Sequence, residues 1–319
     1  MKGANVMKTL TQPAESVSGG QIKLITRQIS DVADSDLVQE ALAALTKKGA
    51  ERLKSHPDFV STLRQRVVET VAEFSVVNEF ANEEVESRYG YLSGYSKPLD
   101  LNAQCNQLRI LFPGGLGFAN QDLLMRIEKG EVKLPQHAEG WFAIPNWQKN
   151  PKIFGSTYSE ALLVILDTIK KARDGKFWNY RDGQVEKKHL RQSAVSREAW
   201  AKLAKEQGDA DILIIPAQFA LRHRGRSVRR ARVIIEDTPG EVGLGAFATG
   251  AMLLTHPNRL KHLDDLWIDL TGDEWSPGGD GDFSESPFFG FRGDEVKFGT
   301  GYVDCPCVCC GSASWFSSQ

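Results

Sequence analysis

The chain has 319 residues, 41% hydrophobic and 25% charged, with a formal net charge of −2. This balance excludes wholesale disorder and leaves length for one large domain or two ordinary ones. Near-neutrality also excludes nucleic-acid attraction through the whole-molecule field, so any such affinity has to come from a local patch.

No apolar run approaches membrane-spanning length, and the first 30 residues lack a basic-then-apolar leader pattern. A cytoplasmic protein with no membrane partner is therefore expected. The first 90 residues read as helical. Ile22, Ile25 and Ile29 share one face, as do Leu37, Ala41, Leu42 and Leu45, and then Leu63, Val67, Val71 and Phe74 in a helix that Asp58 opens. A stretch of Tyr89, Tyr91 and Tyr95 interleaved with Gly90, Gly94 and Pro98 then marks a boundary or surface loop.

The alternation of Leu108, Ile110 and Phe112 with Arg109 and Leu111 reads as a strand over 107–112. A Pro-Gly-Gly-Leu-Gly loop at 113–117 and a helix over 120–128 complete the layout in which backbone N–H groups can cradle a phosphate. The third glycine of the dinucleotide pattern and the Lys-Ser/Thr pair of a P-loop are both missing, which favours a structural turn. Residues 141–145 read as a strand. Residues 157–173 read as a helix, with Thr157 and Glu160 as a capping box, Leu162, Ile165, Leu166 and Ile169 on one face, and Gly175 after its end. Residues 197–206 form another helical pattern. Strands are expected at 212–216 and 266–270, and a hairpin at 288–300 around Arg292-Gly293-Asp294-Glu295.

Two charge blocks stand out. Between Leu221 and Arg232 lie six arginines and no acid: Arg222, Arg224, Arg226, Arg229, Arg230 and Arg232. A continuous helix would put Arg222, Arg226, Arg229 and Arg230 on one face; Gly225 also allows a loop followed by a helix from Ser227. Arginine's planar fork suits phosphate, so these four are the candidate contacts to nucleic acid or a phosphorylated ligand. Between Asp264 and Glu285 lie eight acids and no Lys or Arg. If the strands at 212–216 and 266–270 were parallel neighbours, their ends would bring the two blocks together. Asp269, Asp273, Asp280 and Asp282 would then be candidate ligands for Mg2+ in a metal-dependent phosphoester hydrolase, with an arginine on the phosphate. The structural alternative is that the two blocks neutralise each other in a salt-bridge network.

Of five cysteines, Cys105 stands alone, while Cys305, Cys307, Cys309 and Cys310 fall within six residues. That crowding is not a disulfide framework. It suits a thiophilic ion such as zinc or copper(I), or an oxidisable tail. The spacing packs the sulfurs closer than the Cys-x-x-Cys pairs of an ordinary mononuclear zinc site. No residue pattern marks a catalytic nucleophile, and each histidine reads as structural or exposed.

Residues 7–16 with Gly19-Gly20-Gln21, residues 210–232 and residues 253–269 resemble a family of uncharacterised bacterial proteins. The resemblance implies a bacterial protein and carries over no activity. The expected architecture is mixed α+β or α/β: a helical region over 1–90, a mixed sheet flanked by helices over 91–304, and a Cys-rich tail over 305–319.

Overall fold

A computed structural model describes residues 79–317 continuously, together with isolated residues between 46 and 62. The chain divides into two units, Met1–Val77 and Asn78–Gln319. The helices expected over 22–29, 36–49 and 58–74 lie in the first unit, essentially outside the described residues. The break falls at 77/78, and residues 79–90 belong to the second unit instead of the helical region to which the sequence assigned them.

The second unit is an α+β fold with two sheets, not one. In chain order its elements are α1 (Leu101–Leu111), α2 (Gln121–Glu128), β1 (Gly140–Pro145), α3 (Pro151–Phe154), α4 (Tyr158–Ala172), β2 (Phe177–Asn179), β3 (Leu190–Gln192), α5 (Ala194–Glu206) and β4 (Ile212–Gln218). After a 3-10 turn at Leu221–His223 come α6 (Val228–Asp237), β5 (Glu241–Gly243) and α7 (Ala246–Thr255). Strands β6 (Trp267–Asp269), β7 (Asp273–Trp275), β8 (Glu285–Arg292), β9 (Glu295–Tyr302), β10 (Cys310–Ser312) and β11 (Ser314–Phe316) complete it. The first sheet has the order β1-β4-β11-β5 and is antiparallel throughout. The second runs β10-β6-β8-β7-β3, with β9 on β8 and β2 on β9.

Several elements follow from local signals. Thr157 caps α4 through the Glu160 N–H, and Glu160 returns a carboxylate to the Thr157 N–H at 2.9 Å, a complete capping box. The residues of α4 that the apolar stripe marks, Leu162, Ile165, Leu166 and Ile169, are all buried. The β8–β9 hairpin turns at Gly293-Asp294, both at φ +64°, as a type I′ turn requires. The Arg-Gly-Asp triplet is thus the corner of a hairpin.

Residues 107–112 are helical, not a strand. Asp100 caps α1 by accepting from the Ala103 N–H at 2.8 Å, and Leu101, Cys105, Leu108 and Phe112 point inward at helical spacing. Ile110, which made the alternation look strand-like, is 78% exposed. Buried Gln104 of this helix completes the free edge of β1: its amide donates to the Trp141 carbonyl at 2.9 Å and accepts from the Ala143 N–H at 3.0 Å. With α1 a helix, the strand–glycine-loop–helix layout of a phosphate cradle does not form at 113–117.

The core lies around α7, whose residues are all buried. It packs on α4, β1 and α1. The segment at 305–319, expected as a tail, is built into both sheets. β10 pairs parallel with β6, and β11, one residue later, lies between β4 and β5. The strands at 212–216 and 266–270 fall in different sheets, so they are not neighbours. Among the described residues no helix is long and apolar enough to cross a membrane.

Candidate thiolate–carboxylate centre

The arginine block forms a turn and then a helix, with Ser227 as the N-cap of α6 accepting from the Arg230 N–H. Its guanidinium groups are committed within the chain. Arg222 Nε donates to Glu241 at 2.9 Å, Arg226 Nε to Glu84 at 3.2 Å and Arg230 Nε to Glu84 at 2.5 Å, while Arg229 forks onto Glu83. Arg224 reaches the Tyr89 carbonyl, and Arg232 the Thr271 and Asp273 carbonyls at 3.1 and 2.6 Å. The partners are therefore Glu83, Glu84 and Glu241, not the acids of 264–285. The hydrogen bond and charge of Arg229 hold Glu83 below the usual carboxylate range, against its burial. Glu84 and Glu241 are likewise low: burial pushes them up, but Arg230 and Arg226 outweigh it at Glu84, and His223, Ser314 and Arg222 do so at Glu241. Fully buried His223 is shifted down, chiefly by burial, so the ring is neutral: it donates from Nε2 to Glu241 at 2.9 Å and accepts at Nδ1 from Arg226 at 3.2 Å. The adjacent pair Glu83-Glu84 is the signal that sequence reading missed.

The four aspartates named as metal ligands are not brought together. Asp280 and Asp282 lie in the loop between β7 and β8, where Asp280 accepts from Ser276 Oγ at 3.1 Å. Asp273 is buried at the start of α7, accepting from the Ala246 N–H at 2.7 Å and the Tyr158 hydroxyl at 2.8 Å. Burial lifts its carboxyl to about 7.

Asp269 goes elsewhere. It is the last residue of β6, and its cross-strand partner on β10 is Ser312. Side chains two residues apart on a strand share a face. Asp269 and Trp267 therefore lie on the same side of the sheet as Ser312 and Cys310. The thiols of Cys307, Cys309 and Cys310 gather here, all three sulfurs within 4.8 Å of one another. Cys307 Sγ and Cys309 Sγ are 3.0 Å apart, and Cys309 Sγ and Cys310 Sγ 3.9 Å. Cys305 is exposed and outside the group. The loop is held by its backbone: the Trp267 N–H donates to the Cys309 carbonyl at 2.8 Å, the Gly225 N–H to the Cys310 carbonyl at 2.9 Å, and Ser87 Oγ to the Val308 carbonyl at 2.5 Å.

Asp269 keeps some surface open to solvent, yet its carboxyl is enclosed by protein atoms. Burial first, and the neighbouring Cys307 sulfur second, push it up to about 8. Among the described residues no hydrogen bond holds the carboxylate form low. Within the thiol group, Cys309 is shifted down because Cys307 and Cys310 direct their S–H groups at it, and Cys310 is shifted up by the same contacts and by burial. One thiolate flanked by two thiols is a donor set for a soft or borderline cation, which replaces the thiol protons, and the Asp269 carboxyl stands next to it. Among the described residues these three cysteines are the only group of His, Cys, Asp or Glu side chains close enough together to hold a metal ion. Asp269 was named among the acids and the three sulfurs among the cysteines; the β6–β10 pairing is what joins them. No family model, no curated protein and no solved structure matches this chain, so the centre stands on its geometry alone.

Proposed function

We propose that the protein binds a thiophilic divalent cation of the zinc class through Cys307, Cys309 and Cys310, with Asp269 as the oxygen ligand. The convergence of the three sulfurs within 4.8 Å beside a carboxyl carries this reading. Zinc–sulfur bonds of ~2.3 Å in a tetrahedral site place two sulfurs ~3.8 Å apart. Cys309 and Cys310 already have that spacing, and Cys307 has to move outward by less than ~1 Å. Asp269, whose carboxyl lies near Cys307 but outside the 4.8 Å group, would turn toward the sulfurs to supply the fourth ligand that Cys-x-Cys-Cys alone lacks.

Titration with Co2+ tests the reading. The expected result is an intense sulfur-to-cobalt charge-transfer band saturating at one equivalent and displaced by Zn2+. Cys309→Ser should abolish it, and Asp269→Ala should keep a weakened band with altered d–d absorption. A folded wild-type protein that gives no band would overturn it.

A phosphate at Arg222, Arg226, Arg229 and Arg230 would have to displace Glu241, Glu84 and Glu83, so the geometry favours the cysteine centre. Salt-sensitive oligonucleotide binding that disappears when Arg226, Arg229 and Arg230 become alanine would instead favour the phosphate reading.

A further inference from the structure

We infer that the outward face of the second sheet is a binding platform for a neutral oligosaccharide. Its inward face is ordinary core: Phe177, Ile268, Phe289, Phe291, Val296 and Phe298 are all buried. The opposite face of a sheet that buries only one side normally carries polar residues. Here the register sets aromatic rings across the strands. Cys310 faces Trp267 on β6, and Gly290 on β8 faces Lys297 on β9, which faces Trp178 on β2. Beside this row Asp269 faces Phe288, which faces Gly299. Tyr180 hydrogen-bonds to the next backbone carbonyl, that of Phe298. The band crosses five strands, about 19 Å at the usual strand spacing.

The glycines are what lay the rings onto the backbone. A Cβ on Gly290 would come 2.5 Å from the Trp267 ring, and one on Gly299 would come 2.9 Å from Phe288 and 3.2 Å from Tyr180. Trp267 and Phe288 stack on each other at 5.3 Å and are half-buried, which shielding the glycines explains. Trp178 and Tyr180 go further: they remain 54% and 55% exposed, with ring centroids 6.5 Å apart. Lys297 Nζ sits 5.8 Å from one ring and 6.0 Å from the other.

Charge selects among ligands that stack on aromatic faces. Single-stranded nucleic acid needs a cationic groove beside the rings. Here Lys297 pairs with Glu295 at 2.5 Å, Lys176 with Asp294 at 2.5 Å and Arg181 with Glu285 at 3.1 Å. These three cations beside the band are thus paired, and exposed Arg292, on the same face of β8, stands across the hairpin from Glu295. A sugar ring offers a C–H face of slight positive charge to the negative face of an aromatic ring. Its hydroxyl edge then meets the ammonium of Lys297 and the carboxylate of Glu295. A neutral, polyhydroxylated chain fits where a polyanion does not.

The platform does not depend on the metal reading, and the test keeps them apart. Calorimetric titration of the full chain with cellohexaose, xylohexaose, maltohexaose and chitohexaose should show binding of at least one, with a change in tryptophan fluorescence. Trp178→Ala should weaken that binding about tenfold, the scale of one lost ring contact. Trp178→Phe should keep most of it, and Cys309→Ser should leave it intact. Because Trp178 is exposed, its variants should melt with the wild type. Three outcomes would overturn the inference: no binding of any of the four sugars, binding of an oligothymidylate that is lost in Trp178→Ala, or a dimer that Trp178→Ala dissociates.

Discussion

The carboxyl of Asp273 sits where helix α7 begins, and its hydrogen bonds to Ala246 and Tyr158 satisfy it in either protonation state. Burial raises it to about 7 from an ordinary value of 3.8. Between those values the folded protein keeps a proton that the unfolded chain has released, so stability contributed here falls as pH rises through about 4 to 7. The variant Asp273→Asn keeps an acceptor and removes the titration. Relative to this variant, the wild type should lose ~5 °C in melting temperature between pH 5 and pH 8, read by circular dichroism. Glu83, Glu84 and Glu241 act in the opposite direction. Their lowered values make their contribution present at neutral pH and lost as pH falls through and below the ordinary carboxylate range. Composition showed these acids; burial sets the sign at Asp273 and the hydrogen-bonded partners set it at the three glutamates, and Glu83–Arg229, Glu84–Arg230 and Tyr158–Asp273 each join residues more than 100 positions apart.

On the scale of elements, the arginine block works as a clamp for the strand-like segment over 83–85. The Val85 N–H donates to the Gly225 carbonyl at 2.8 Å, the Ser227 N–H donates to the Glu83 carbonyl at 3.0 Å, and Glu84 bridges to Arg226. Gly225 is required twice over, by a φ of +77° and because a Cβ would run into the Val85 carbonyl oxygen. Gly225→Ala should therefore destabilise by about 2 kcal/mol in urea unfolding. Arg230→Ala, which removes a buried guanidinium and takes a partner from Glu84, should cost a similar ~2 kcal/mol. Combining it with Glu84→Ala should cost less than the sum, because the two remove one interaction. A helix beginning at Ser227 was legible as one of two readings, since Gly225 weakens a continuous helix and Ser227 can cap a new one, both local signals. The capping box of α4 and the turn of the hairpin were legible for the same reason. The strand proposed at 107–112 failed because five residues of alternation fit either period; Asp100 and the inward Gln104 decide for the helix.

For the whole molecule, the C-terminal stretch is the closure of the fold. β10 lies at the edge of one sheet and β11 in the interior of the other, joined only by Ala313, whose N–H donates to the Asp269 carbonyl at 3.0 Å. Deleting residues 305–319 should leave β4 and β5 without their shared neighbour. The expected product is an aggregating chain without a cooperative melt, whereas a soluble product with a sharp transition would contradict this placement. Metal loading should act through the same closure: saturating Zn2+ at 100-fold its dissociation constant should add about 2.7 kcal/mol, seen as a raised melting temperature in the wild type and not in Cys309→Ser. The sequence by itself determined what depends on a few adjacent residues: the capped helices, the hairpin, the apolar strands at 141–145 and 212–216, and the two kinds of side chain able to bind a metal. The tertiary structure alone decided which of them meet. Strand pairing joined Asp269 to the cysteines and placed β4 and β6 in different sheets, and the arginines found their partners in Glu83 and Glu84. Those outcomes depend on the order of strands, which no local periodicity encodes.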